Sequence, residues 1–76
     1  MNVSVTLHGL LRDYLPKKAK GKTTLDLAEG ATLNDILQAL QINRTVNGTL
    51  NGVEVDLSHV LKDGDEVQLF RPIAGG

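Results

Sequence analysis

Two glycines, Gly75 and Gly76, close the sequence, and Phe70-Arg71-Pro72-Ile73-Ala74 lead into them. A fold gains little from such an end, because glycines bury no side chain and lose the most conformational freedom on ordering. Chain ends commonly fray, and that is one reading of the stretch. The other reading is chemical. Without Cβ atoms, Gly75 and Gly76 fit a narrow channel and present a terminal carboxylate to the active site of another protein. Pro72 stiffens the exit by fixing φ and removing a backbone donor. The six residues from Arg71 to Gly76, extended at roughly 3.3 Å each, reach about 20 Å. Phe70 falls on the opposite face of its strand from Val67 and Leu69. A large apolar side chain there is either ordinary surface or an anchor for a docking partner.

No other constellation carries chemistry. His8 and His59 have no partners at metal-ligand spacing, so no metal site is expected. Asp63, Asp65 and Glu66 read as a turn and a solvated strand start rather than an acid/base pair. No Ser-His-Asp or Cys-His arrangement can be drawn, and cysteine is absent altogether. The chain therefore has neither disulfides nor a thiol of its own. Gly21-Lys22-Thr23 resembles the end of a phosphate-binding loop, but the required first glycine falls at Pro16 and the motif fails. The reading is of a protein that is acted upon, not an enzyme, with no bound cofactor.

The body that positions the tail is small. Seventy-six residues make one domain, and a chain this short buries only around 60% of its unfolded surface. A net charge of −1 argues against a dedicated nucleic-acid or membrane-surface binder. No signal peptide or spanning segment is read, so the cytoplasm is the expected compartment.

Val3, Val5 and Leu7 alternate with polar residues and predict a strand. Leu10, Leu11, Tyr14 and Leu15 predict a helical turn or apolar bridge closed by Pro16. Lys17 to Lys22 is a basic loop, either solvated or a docking patch for an acidic partner. Thr23, Leu25 and Leu27 predict a second strand antiparallel to the first. Leu33, Ile36, Leu37 and Leu40 form one apolar stripe of a helix, with Thr32 and Asp35 as a capping box and Asn43 as its stop. Asn47-Gly48 and Asn51-Gly52 are turn signals, the second a tight hairpin before Val53-Glu54-Val55. Lys62-Asp63-Gly64-Asp65 is a turn, and Glu66 to Phe70 is the last strand.

This order of elements, with the words Leu11-Arg12-Asp13-Tyr14-Leu15-Pro16, Glu29-Gly30-Ala31-Thr32-Leu33-Asn34-Asp35-Ile36-Leu37, Leu61-Lys62-Asp63-Gly64-Asp65-Glu66-Val67 and Arg71-Pro72-Ile73-Ala74-Gly75-Gly76, resembles the MoaD/ThiS family of ubiquitin-like sulfur carriers. The resemblance covers the whole chain. It implies an α+β, ubiquitin-like β-grasp: a mixed sheet of four to five strands, first and last strands parallel neighbours, one main helix on one face. Residues 1–71 would be the β-grasp domain and 72–76 a flexible Gly-Gly tail.

The resemblance also implies partners. A ubiquitin-activating-type enzyme would bind the carrier and ATP and adenylate the Gly76 carboxylate, with Gly75 threading its channel. Phe70, Arg71, Pro72, Ile73 and Ala74 would contact that partner. A sulfur donor protein would convert the adenylate to a thiocarboxylate, and a sulfur-accepting synthase would use it in molybdopterin- or thiamine-type cofactor biosynthesis. α-Carboxyl groups, with pKa values of about 3.5, are ionised at neutral pH and poor electrophiles; adenylation removes the charge and supplies a leaving group. Ending at Gly76, the chain is expected to need no protease to expose the carboxylate. Arg71-Pro72 stands where the molybdopterin-type subunit often has two prolines, and the stretch from Leu10 to Lys22 is longer than in thiamine-type carriers. The pathway stays open. So do two other readings: a ubiquitin-like modifier conjugated to lysine through Gly76, and a plain β-grasp interaction module.

Overall fold

Alternating valines and leucines form the first strand. In the computed structural model, which describes residues 1–72, β1 (Asn2–Leu7) buries Val3, Val5 and Leu7 and turns Asn2 and Ser4 outward. β2 (Lys22–Asp26) pairs with it antiparallel, Val3 opposite Leu25 and Val5 opposite Thr23. Between them lie two short 3-10 turns, Gly9–Tyr14 and Lys17–Ala19. The first is the expected apolar bridge. It buries Leu11 completely but leaves Leu10 61% exposed.

Helix α1 (Leu33–Ala39) starts as expected: the Thr32 amide donates to the Asp35 carboxylate at 2.8 Å. That acceptor also lies at the positive end of the helix dipole. Leu33 and Ile36 are fully buried, whereas Leu37 and Leu40 are only half-buried. The stop differs from the expectation. Leu40 closes the helix, and Gln41 takes the left-handed conformation at φ 59° that Asn43 was expected to supply. The cause is Ile42, which is buried: the chain reverses one residue before it and the Ile42 amide bonds back to the Leu37 carbonyl at 2.8 Å. Asn43 instead accepts a hydrogen bond from the Tyr14 hydroxyl.

β3 (Asn47–Leu50) and β4 (Val53–Val55) form the hairpin expected around Asn51-Gly52. Asn47-Gly48 is not a turn but the start of β3. Gly48 lies under the helix, and a Cβ there would meet Leu33 Cδ2 at 2.5 Å and Leu69 Cδ2 at 3.2 Å. Asp65, expected in a solvated turn, is buried instead. Its carboxylate accepts from the Lys62 amide at 2.7 Å and from Asn51 Nδ2 at 3.1 Å, while Asn51 Oδ1 accepts from the Glu66 amide at 2.9 Å. The hairpin turn is thereby tied to the start of β5 (Glu66–Phe70).

β5 enters the middle of the sheet, giving the order β2-β1-β5-β3-β4. It runs parallel to β1 and antiparallel to β3. Five strands in a mixed sheet with one main helix over the face of Val5, Val67 and Leu69 make a ubiquitin-like β-grasp. The sheet ends at Phe70, and of the expected tail only Pro72 is among the described residues.

Candidate functional site at the base of the tail

Parallel pairing decides where the tail leaves the body. Leu7 stands opposite Leu69, so the chain beyond β1 and the chain beyond β5 depart from the same end of the sheet. The His8 amide donates to the Leu69 carbonyl at 3.1 Å and extends the pairing by one residue. On the outer face, away from the helix, His8 Nε2 and Gln68 Oε1 are 2.9 Å apart. Phe70 follows on that face, opposite Asn47 of β3 and half-buried.

His8, Gly9, Leu10, Phe70, Arg71 and Pro72 line a shallow depression of about 420 Å³. Of the residues expected to contact a partner, Phe70, Arg71 and Pro72 come together here. Ile73, Ala74, Gly75 and Gly76 lie outside the described residues. Leu10 and His8 are additions that sequence reasoning missed. The sequence pattern groups Leu10 with the apolar bridge, but in a 3-10 turn Leu11 and Tyr14, three apart, share one side and direct Leu10 outward. His8 finds its partner 60 residues away, through pairing that spacing alone does not reveal.

The arrangement suits recognition. An exposed leucine, a half-buried phenylalanine and a proline give apolar contact, and the His8–Gln68 pair and Arg71 give polar contact around it. Such a mixture, with aromatic and Arg side chains near its centre, is what protein interfaces favour. Among the described residues no three His, Cys, Asp or Glu side chains gather as metal ligands. A larger hollow of about 600 Å³ lies at the β4 edge, lined by residues including Asn47, Glu54, Asp56 and His59.

The ThiS family model matches residues 5–76. A curated relative, the UPF0125 protein of Xylella fastidiosa, is 43% identical over 54 residues, which is 71% of this chain; the match spans about 60% of that relative's length. SAMP1 from Haloferax volcanii, a small archaeal modifier protein, superposes with a TM-score of 0.75 at 24% identity, covering 100% of both chains. A chain from the complex of subunits 1 and 2 of molybdopterin-converting factor from Helicobacter pylori superposes at 0.64 with 26% identity, again over 100% of both. The thiamine biosynthesis protein ThiS from Geobacter metallireducens gives 0.62 and 26% over 100% of both.

Proposed function

The chain belongs to the ThiS family, and on that premise we propose that it is a small sulfur carrier, a protein co-substrate rather than a catalyst. The carrying observation is that the family match runs through residue 76 and so includes the glycine pair. A ubiquitin-activating-type partner joins the Gly76 carboxylate to the AMP moiety of ATP, releasing pyrophosphate. A donor protein supplies sulfur at the sulfide level. The sulfur attacks the acyl carbon, AMP leaves, and a thiocarboxylate remains. A synthase then accepts that sulfur in molybdopterin- or thiamine-type cofactor biosynthesis.

The geometry supports this division of labour. β5 is paired on both sides, so the body holds the base of the tail while Phe70, Leu10 and Pro72 offer a face to the activating partner. The complex of subunits 1 and 2 in the Helicobacter pylori relative supports a stable synthase partner. No helix among the described residues is long and apolar enough to cross a membrane. We place the protein's work in the cytoplasm, with ATP used by the partner and no cofactor resident on the chain.

The likeness to a small archaeal modifier protein supports a second reading, in which a lysine amine attacks the same adenylate and gives an isopeptide. Intact mass of the protein purified gently from its own cells separates the two. Replacement of one oxygen by sulfur, mapped to the C-terminal peptide, is the outcome expected of the carrier. An unshifted mass with ladders of larger conjugates favours the modifier. Neither result after adding ATP, sulfide and cell extract leaves a plain β-grasp module.

A further inference from the structure

Charge is unevenly divided along this chain. Arg12, Lys17, Lys18, Lys20 and Lys22 are five of its eight cations, and the stretch from 12 to 22 holds a single acid, Asp13, for a net +4. The remaining three cations face eight acids, a net −5. All five cations are exposed, and among the described residues none has a carboxylate partner; the ion pair found there joins the N-terminus to Asp26 at 3.4 Å.

The fold gives this charge a shape. After the second 3-10 turn, Lys20 and Gly21 both take positive φ, 55° and 76°, and fold the chain back so that the Gly21 carbonyl accepts from the Leu7 amide at 2.6 Å. A Cβ at residue 21 would meet the Leu7 carbonyl oxygen at 2.7 Å and Arg12 Cγ and Nε at 3.0 Å. Glycine thus lets the Arg12 side chain lie against the backbone. Arg12, Lys17 and Lys20 line a hollow of about 350 Å³ with Gly9, Asp13 and Gly21. Gly9 also lines the depression at the base of the tail, so the two surfaces are continuous.

We infer that this basic hollow is a second docking surface, which takes an acidic segment of the protein that engages the tail. The inference rests on the carrier reading for the identity of that protein. A carboxylate-bearing segment fits better than nucleic acid. The lining of the hollow has no aromatic side chain on which a base would stack. Arg12 offers a planar fork suited to a carboxylate, and the lysines add attraction that steers the encounter.

The test is an NMR titration of the ¹⁵N-labelled protein at low salt with a deca-glutamate peptide, with tripolyphosphate and a Gly-Ser peptide in parallel. Shifts confined to residues 9–22 are expected. They should weaken at least tenfold in the Lys17→Glu/Lys20→Glu variant and little in Lys62→Glu, with all three proteins melting alike. The same result is expected with Gly76 deleted, so failure of the carrier reading leaves this measurement intact. Four outcomes overturn the inference. Shifts spread over every lysine mean solvated charge only. Tripolyphosphate binding without peptide binding means a small-anion site. Concentration-dependent shifts linking residues 9–22 to Glu54 and Asp56 without peptide mean self-association. Equal weakening in Lys62→Glu means that net charge alone governs binding.

Discussion

The backbone of Gly48 lies directly beneath the side chain of Leu33, so close that a Cβ on Gly48 would come within 2.5 Å of Leu33 Cδ2. Gly48→Ala must push the helix away from the sheet or force Leu33 off its rotamer. Overpacking of this kind costs about 1–3 kcal/mol. A urea midpoint lowered accordingly, at unchanged slope, is the expected result; an unchanged midpoint would show that the helix is not seated on β3.

Ile36 and Leu37 separate the buried from the half-buried side of α1. Ile36→Ala should cost roughly 2–5 kcal/mol, the range for a fully buried aliphatic side chain. Leu37→Ala should cost clearly less, because solvent already reaches that side chain. Denaturant melts of the two variants side by side check the order, and equal losses would place the helix in a different rotation.

Asp65 holds two donors, the Lys62 amide and Asn51 Nδ2, at a buried position. Asp65→Ala leaves both without their acceptor, and an unpaired buried donor costs about 1–3 kcal/mol. Thermal melting should fall for Asp65→Ala and, through the same knot, for Asn51→Ala. The double variant should lose less than the sum of the two, which a double-mutant cycle measures.

Phe70→Ala and Leu10→Ala should each weaken docking to the adenylating partner, Phe70→Ala by about 2 kcal/mol, the size of an interface anchor. Both side chains sit on the outer surface, so melting temperatures should change little for Leu10→Ala and modestly for Phe70→Ala. Calorimetric titration reads the affinity directly. Wild-type affinity in both variants would remove this face from the docking surface.

Gly75→Val tests threading. A branched side chain next to the terminal residue should abolish ATP-dependent adenylation, read by pyrophosphate release, while melting stays at the wild-type value. Normal release would mean that the partner's channel is wide.

Where local pattern and tertiary packing agree, the fold was legible in the residues. Val3, Val5 and Leu7 alternate because one face of β1 is buried, and Asn51-Gly52 supplies the two positive φ values of a tight hairpin. The failures share one physical origin. Asn47-Gly48 looks like a turn, yet Gly48 is needed for a close approach that only the folded helix creates. Asn43 looks like a helix stop, but burial of Ile42 forces the reversal earlier. Asp65 looks solvated until Asn51, 14 residues away, is brought to it. At the site, period two placed Phe70 on the outer face, while the parallel register that adds His8 and Leu10 to it is a long-range fact.

The central position of β5 has a consequence for biogenesis. β1 with β2 and β3 with β4 are two antiparallel pairs that join in the sheet only through β5, the last strand in chain order among the described residues. A nascent or prematurely terminated chain lacking Glu66 to Phe70 holds two half-sheets with no shared strand, so the cooperative transition waits for the final segment. The parallel pairing of Leu7 with Leu69 closes a long loop, the kind of non-local contact that slows folding in general. A chain truncated before Glu66 is therefore expected to lose the fold as a whole, which limited proteolysis of a 1–65 fragment checks.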